Sequence, residues 1–195
     1  MRQDTGDIRP ADTPDAPDFV ALLDHHQQAL LAFLRGLVND LELALDLLQE
    51  VFCDAWRARL RGAPPFAGAA TSPDQRNWLF HTAYCRAISA RRHAGVLRWE
   101  SLEAGAEPLR ERLEEPWRLE ERVSEQDEAL AALAALATED AASLLLNILH
   151  GFTAAEIATV LQITPAAAKK RLSRAKQRLR AAYLSQNPDR QEAHS

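Results

Sequence analysis

The sequence predicts an all-α protein built as two small helical domains joined by an acidic linker. Three observations carry that prediction. Apolar residues make up 47% of the chain and aromatics only 6%, with Ala and Leu dominant, and these two lead the helix-propensity ranking. Apolar positions recur at steps of three and four through most of the chain, the period of one helix face. Between Glu100 and Glu128, eleven acids and four arginines punctuated by Gly105, Pro108 and Pro116 break that period, as a linker does. A length of 195 residues suits one ordinary domain or two small ones.

Residues 1–17, rich in Pro and Asp, read as a disordered tail, because so few apolar groups cannot offset the entropy of ordering. Asp18 is placed to cap a helix starting at Phe19, whose stripe is Phe19, Leu22, Leu23, Leu30, Phe33, Leu34 and Leu37. A second stripe follows at Leu41, Leu45, Leu48, Phe52, Ala55 and Trp56, with Glu42, Asp46 and Glu50 stacked four apart on the other side. The stretch from Arg61 to Thr71 is a loop by its Gly and Pro content. Ser72, Pro73 and Gln75 then form an S-x-x-Q helix start, and the helix carries Trp78, Leu79, Tyr84 and Ile88 to an end before Gly95. These elements make a first domain over 18–93, followed by the linker over 94–124.

The second domain spans 125–185, with a second disordered tail at 186–195. Leu130, Leu133 and Leu136 mark its first helix. Thr138 is placed to cap the next, with Glu139 and Asp140 favourably set in its first turn. That helix has its stripe at Leu144, Leu145, Ile148 and Leu149 and stops at Gly151. Thr153 and Glu156 form a capping box for "AAEIATVL", the turn "QIT" follows, and Thr164 caps the last helix with Pro165 at its first position.

Charge is distributed unevenly. The chain has a formal net charge of -5, yet seven Lys or Arg and no acid occur between Pro165 and Leu184. Two short helices joined by a tight turn, the second basic, make a helix-turn-helix. In the last helix Ala168, Leu172, Ala175, Leu179 and Ala182 form one apolar stripe. At about 100° per residue Lys170 and Arg174 point away from it, flanked by Arg171 and Arg178 on one side and Lys169, Lys176 and Arg180 on the other. Stabilising a helix C-terminus needs one or two cations in its last turn, so seven over four turns point to DNA. Its first-turn residues, Pro165, Ala166, Ala167 and Ala168, supply no bidentate base reader. Selective binding therefore requires a second contact elsewhere.

Several classes are set aside. No G-x-x-x-x-G-K, H-E-x-x-H or G-x-S-x-G pattern occurs, so no enzyme and no cofactor is expected. Cys53 and Cys85 have no metal-ligand spacing, and the adjacent His25 and His26 cannot share a helix face. No apolar run approaches the roughly 18 residues of a membrane span, and the N-terminus lacks a hydrophobic signal core. The expected setting is soluble and cytoplasmic, without membrane insertion.

The segments "GFTAAEIATVLQIT" and "KKRLSRAKQRLR" resemble both region 4 of sigma factors and the C-terminal domain of LuxR-type regulators. The first domain separates the two: "DLLQEVF" (Asp46 to Phe52), followed by Trp56, resembles region 2 of the sigma-70 family, and "WLFHTAYCRAISARR" (Trp78 to Arg92) is similar to its WL-x-x-x-A block. The order, length and acidic linker resemble the extracytoplasmic-function (ECF) group. The resemblance implies that Asp46, Gln49 and Glu50 grip the β′ clamp helices of core RNA polymerase. It implies that the helix from Ser72 to Arg92 melts and reads the −10 promoter element, with His81, Tyr84, Arg86, Arg91 and Arg92 as DNA contacts and Trp78 and Leu79 in the core. Pro165, Ala166, Ala167, Lys169, Lys170, Arg171 and Arg174 fall on the −35 recognition helix. The β flap, promoter DNA and an anti-sigma factor are the further partners implied.

The chain departs from the family pattern at Cys85 and Ser89, where Asn and Asp are usual, at Ala168, where Val is common, and in a longer loop from Gly62 to Trp78. A linker of about 30 residues reaches at most ~100 Å, against ~85 Å between promoter elements and ~45 Å if fully helical, so an extended bound linker is expected. Two other readings stand beside this one: a LuxR-like operator-binding dimer, and a sigma-like protein that sequesters an anti-sigma factor.

Overall fold

The computed structural model describes residues 16–66, 73–103, 131–133 and 135–186, and among these the regular structure is helical. Six helices follow in order: α1 Ala16–Val38, α2 Leu41–Leu60, α3 Pro73–Glu103, α4 Thr138–Ile148, α5 Ala154–Leu161 and α6 Pro165–Gln186. A further helical turn covers 131–133. Residues 1–15 and 187–195 of the two expected tails, the Ser72 cap, Leu130 and most of the acidic linker lie outside the described residues, while residues 16, 17 and 186 of those tails are helical.

The helix ends obey local chemistry. Asp40 caps α2 by accepting from the Leu43 amide at 3.0 Å, which satisfies one of the orphan donors of a helix start. Asn39, in the left-handed region at φ 54°, makes the corner between α1 and α2. The Thr153–Glu156 capping box forms in both directions, and Thr164 Oγ1 accepts from the Ala167 amide at 3.2 Å. Gln162 takes φ 55° in the helix-turn-helix corner.

Two starts and one end differ from expectation. Helix α1 begins at Ala16, so Asp18 lies in its first turn instead of capping it. Thr138 is the first residue of α4; the N-cap is Ala137 and makes no side-chain capping bond. Helix α3 runs through Gly95 to Glu103, since a glycine inside a helix costs only about 1 kcal/mol and does not by itself stop it. Gln75 is buried and its Nε2 donates to the Pro65 carbonyl at 3.3 Å, binding the start of α3 to the preceding loop.

Helices α1, α2 and α3 form the first unit. Phe19, Leu22, Leu30, Phe33, Leu34 and Leu37 are buried, as the stripe predicts, with Leu23 at its margin. The buried face of α2 is instead Ala44, Leu47, Leu48, Val51, Ala55 and Ala58, while Leu41 and Leu45 are exposed. Ala44 and Ala58 join the buried face with Leu47 and Val51, so the helix is rotated enough to leave Leu41 and Leu45 in solvent, while Leu48 and Ala55 stay buried and Phe52 and Trp56 pack at the margin. Phe66 anchors the loop after α2 in the core, 5.9 Å from the ring of Phe19 and 5.0 Å from that of Trp78.

Helices α4, α5 and α6 form the second unit, with Leu144, Leu146, Phe152, Ile157, Val160, Ala168 and Ala175 inside. Helix α6 packs through its predicted stripe: Ala168 and Ala175 are buried, Leu172 and Leu179 half-buried. The two units touch. Their buried side chains form one continuous apolar cluster, joined where Phe80 of α3 lies 4.9 Å from Phe152 and 5.0 Å from His150.

Leu79 is fully buried, so Leu79→Ala is expected to destabilise the fold by about 3 kcal/mol. Asp40→Ala, which removes a cap, is expected to cost about 1 kcal/mol. Urea unfolding followed by far-UV circular dichroism measures both.

Candidate nucleic-acid interface and acidic docking face

On α2 the buried positions fall on one side, so the opposite side carries Glu42, Asp46, Gln49, Glu50 and Cys53, all exposed. Exposed Leu41 and Leu45 border the acids. This is a carboxylate ridge edged with apolar groups, suited to a basic surface with aliphatic stems.

One end of the ridge is tied to α3. Arg86 donates from Nε to Asp54 at 3.1 Å and from NH1 to Glu50 at 2.9 Å, and its NH2 also pairs with Asp54. The Asp54 hydrogen bond, with both carboxylates adding, raises its pKa above the usual arginine value. Arg86 is thus engaged in helix pairing. Arg91 reaches back to α1, donating to the Leu37 carbonyl at 2.9 Å. Tyr84 is buried, and that burial pushes its hydroxyl pKa up, with Glu139 of α4 adding and Arg171 of α6 opposing. His81 Nδ1 donates to the Val160 carbonyl at 2.7 Å. A neutral imidazole then has Nε2 as an acceptor, and the Cys85 thiol lies 3.6 Å from it. Arg92 is exposed. Of the five side chains expected at the −10 element, four therefore make internal contacts here. Leu79 is in the core as expected; Trp78 is half-buried against Phe66.

On α6 the charges stand clear. Pro165, Ala166, Ala167, Lys169, Lys170 and Arg174 are exposed and Arg171 is half-buried. Arg178 pairs across the unit with Asp140, which is buried at the start of α4. That pair explains a buried carboxylate and removes one cation from the presented set. Beside α6, a groove of about 380 Å³ runs between 131–133, α4 and α6, lined by Leu133, Leu145, Ile148, Leu149 and Leu179 with Lys176 and Arg180 at its rim. Ile148 and Leu149 are each 58% exposed, which departs from their predicted place in a buried stripe.

Sequence reasoning missed Arg76. It lies in the first turn of α3, where a cation opposes the helix dipole, and that mismatch was the available signal. Its NH2 donates to the His150 carbonyl at 2.6 Å, its guanidinium sits 3.7 Å over the Phe152 ring, and NH1 is 3.9 Å from Glu156. Hydrogen bonds from Thr153, with Arg76 helping, hold the Glu156 carboxyl below its ordinary value. His150 packs its ring against Phe33 and Phe80, and its buried Nε2 has no hydrogen-bond partner among the described residues. Burial, with Arg76 adding, lowers its pKa to about 4.

Among the described residues no group of His, Cys, Asp and Glu is placed to hold a metal ion, and no helix is long and apolar enough to cross a membrane. The two units correspond to two known families of sequence. The family model "Sigma-70 region 2" matches residues 22–67, covering most of α1, all of α2 and the first part of the following loop. The model "Sigma-70, region 4" matches residues 126–179, through the helix-turn-helix. Together they span just over half of the chain, in the order sigma factors use. The chain belongs to the sigma-70 family.

No curated protein sequence matches it. Two solved structures share the fold of this sigma-70 family chain. The sigma factor RpoE of Bartonella quintana, in complex with the anti-sigma factor NepR, is 21% identical with a TM-score of 0.63, covering 85% of this chain and 94% of that one. CnrH, in complex with the cytosolic domain of CnrY, is 21% identical with a TM-score of 0.57, covering 87% of this chain and 88% of that one.

His150 makes folding pH-dependent. The folded state keeps it neutral down to about pH 4, against an ordinary histidine value of 6.5. The unfolded state therefore binds more protons in that window. Stability is expected to fall as pH drops from about 6.5 to 4 and to lose nothing further from this group below that. His26, lowered by burial and then by His25 and Arg76, has the same sign. His150→Gln should flatten the slope, as read from urea midpoints across this pH range.

Proposed function

We propose that this sigma-70 family chain is a two-domain sigma factor of the ECF type, which docks core RNA polymerase through α2 and places α3 and α6 on the −10 and −35 promoter elements. The observation that carries this reading is the pairing of two exposed surfaces of opposite sign on separate units: Asp46, Gln49 and Glu50 on α2, and Lys169, Lys170 and Arg174 on α6. The acidic ridge fits the basic β′ clamp helices, with Leu41 and Leu45 supplying apolar contact at its edge. The exposed first turns of α6 fit a major groove, where Lys and Arg bind phosphate and set the register. The apolar groove with its Lys176 and Arg180 rim fits an acidic amphipathic helix, and we assign it to the β flap. One of the structural relatives, RpoE, was captured with the anti-sigma factor NepR, which supports such an inhibitor as a partner for this chain as well.

The family match in both units favours this reading over a LuxR-like operator-binding dimer and over a protein that only sequesters an anti-sigma factor. Run-off transcription with core polymerase and genomic DNA tests it: promoter-dependent transcripts are expected, and intact core binding without any product would leave the sequestering protein instead. Asp46→Arg with Glu50→Arg is expected to weaken core binding at least tenfold in a pull-down titration, because two attractive contacts become repulsive. About four phosphate contacts by α6 predict a roughly hundredfold loss of DNA affinity between 50 and 200 mM salt. Lys170→Ala with Arg174→Ala should lower that log–log slope by about 2, as measured by fluorescence polarisation.

A further inference from the structure

His150 belongs to the second unit, in the turn between α4 and α5, yet the rings packed against it come from the first. Phe33 of α1 lies 6.2 Å from its ring and Phe80 of α3 lies 5.0 Å away. The Arg76 guanidinium of α3 donates to the His150 carbonyl at 2.6 Å. The buried Nε2 has no hydrogen-bond partner among the described residues. A neutral imidazole tolerates such a site. An imidazolium does not, because both of its ring nitrogens become donors and its charge stands away from water beside a fixed cation.

The neighbouring charges do not relieve that cost. Arg76 is the charge that acts on the ring, and it lies 3.9 Å from Glu156 of α5. The Glu156 carboxyl is held below its ordinary value mainly by Thr153 of its own unit, so it stays an anion whether or not the units touch. On α1, His26 feels Arg76 and its neighbour His25. The acids of α4, Glu139 and Asp140, stand at the opposite end of that helix, and Asp140 is paired with Arg178.

Parting the units removes Phe33, Phe80 and Arg76 from His150 at once, which returns the ring to water. Contact between the units holds the histidine at about 4, against an ordinary value of 6.5, so a proton binds more tightly to the parted form. The preference for contact is whole above about pH 6.5 and is lost progressively as pH falls toward 4.

We propose that His150 is a proton sensor built into the seam, whose protonation releases the second unit from α1 and α3 while the helices of both units stay folded. Release precedes global unfolding because the rings against His150 lie across the seam and not within its own unit. Neither polymerase docking nor promoter reading is needed for this response.

Single-molecule energy transfer tests it on the full chain with Cys53→Ser and Cys85→Ser, carrying dyes at Gln28→Cys on α1 and Gln177→Cys on α6, both exposed. Parted and closed molecules are counted from pH 7.5 to 5.5, in this chain and with Gly36→Ala added. A Cβ at Gly36 would stand 2.8 Å from Leu145 Cδ1 across the seam, which raises the parted fraction to a countable level. The ratio of parted to closed molecules is expected to rise about tenfold over this range in both chains, with far-UV helicity unchanged. His26→Gln should keep the rise. His150→Phe and His150→Gln should each cut it to less than twofold. A ratio independent of pH, a rise that survives both His150 substitutions, a rise abolished by His26→Gln, or helicity lost in step with the rise overturns the sensor.

Discussion

Phe80 is where two groups of helices become one core. Its ring lies within about 5 Å of Phe33, Phe152 and His150, so one side chain from α3 touches α1 and the segment between α4 and α5. Aromatic pairs in tilted and edge-on arrangements add specific geometry to their burial, which fixes how the units meet. Around this seam sit the polar contacts that seal it: Arg76 on one side, and His81 on the other. Each unit alone is small, and a domain of that size buries a modest fraction of its surface. Joining the cores lets each unit use the other's apolar face.

That seam decides the fate of charge. With the apolar sides of α1, α3 and α4 spent on one another, the carboxylates of α2 and the cations of α6 face outward on different units. Other cations are already paired: Arg76 with groups of the second unit across the seam, Arg86 with Asp54 and Glu50 inside the first unit, and Arg178 with Asp140 inside the second. The exposed acids and bases are what is left for partners, and they are of opposite sign. A sigma factor uses such a division well, because it must hold a polymerase and a DNA duplex at once.

The comparison between α2 and α6 shows why one helix was legible and the other was turned. In α6 the apolar residues alternate with lysine and arginine, and long charged side chains leave a single solution for which face is buried. In α2 leucines occur on nearly every side, and the buried face is the one where Ala44 and Ala58 join Leu47 and Val51. Propensity carries no information about that. The acidic positions Glu42, Asp46 and Glu50 lie on the exposed side all the same, since four-residue spacing fixes a face whatever the partner helix does. Arg86, Arg91 and His81 show the reverse case: a polar side chain on a helix reads as a DNA contact or as a helix tie with equal ease until its neighbour is known.

The order of helices, the capping box at Thr153, the turn at Gln162 and the segregated charge of α6 were determined by the sequence alone, because each depends on residues within a few positions of one another. The rotation of α2, the continuation of α3 through Gly95, the role of Arg76 and the contact between the units were decided only by the tertiary structure. Their causes are groups far apart in the chain, such as Gly36 against Leu145 or His81 against Val160. Local patterns cannot encode which of several apolar or polar faces finds the better complement, since that choice is made by packing across the whole core.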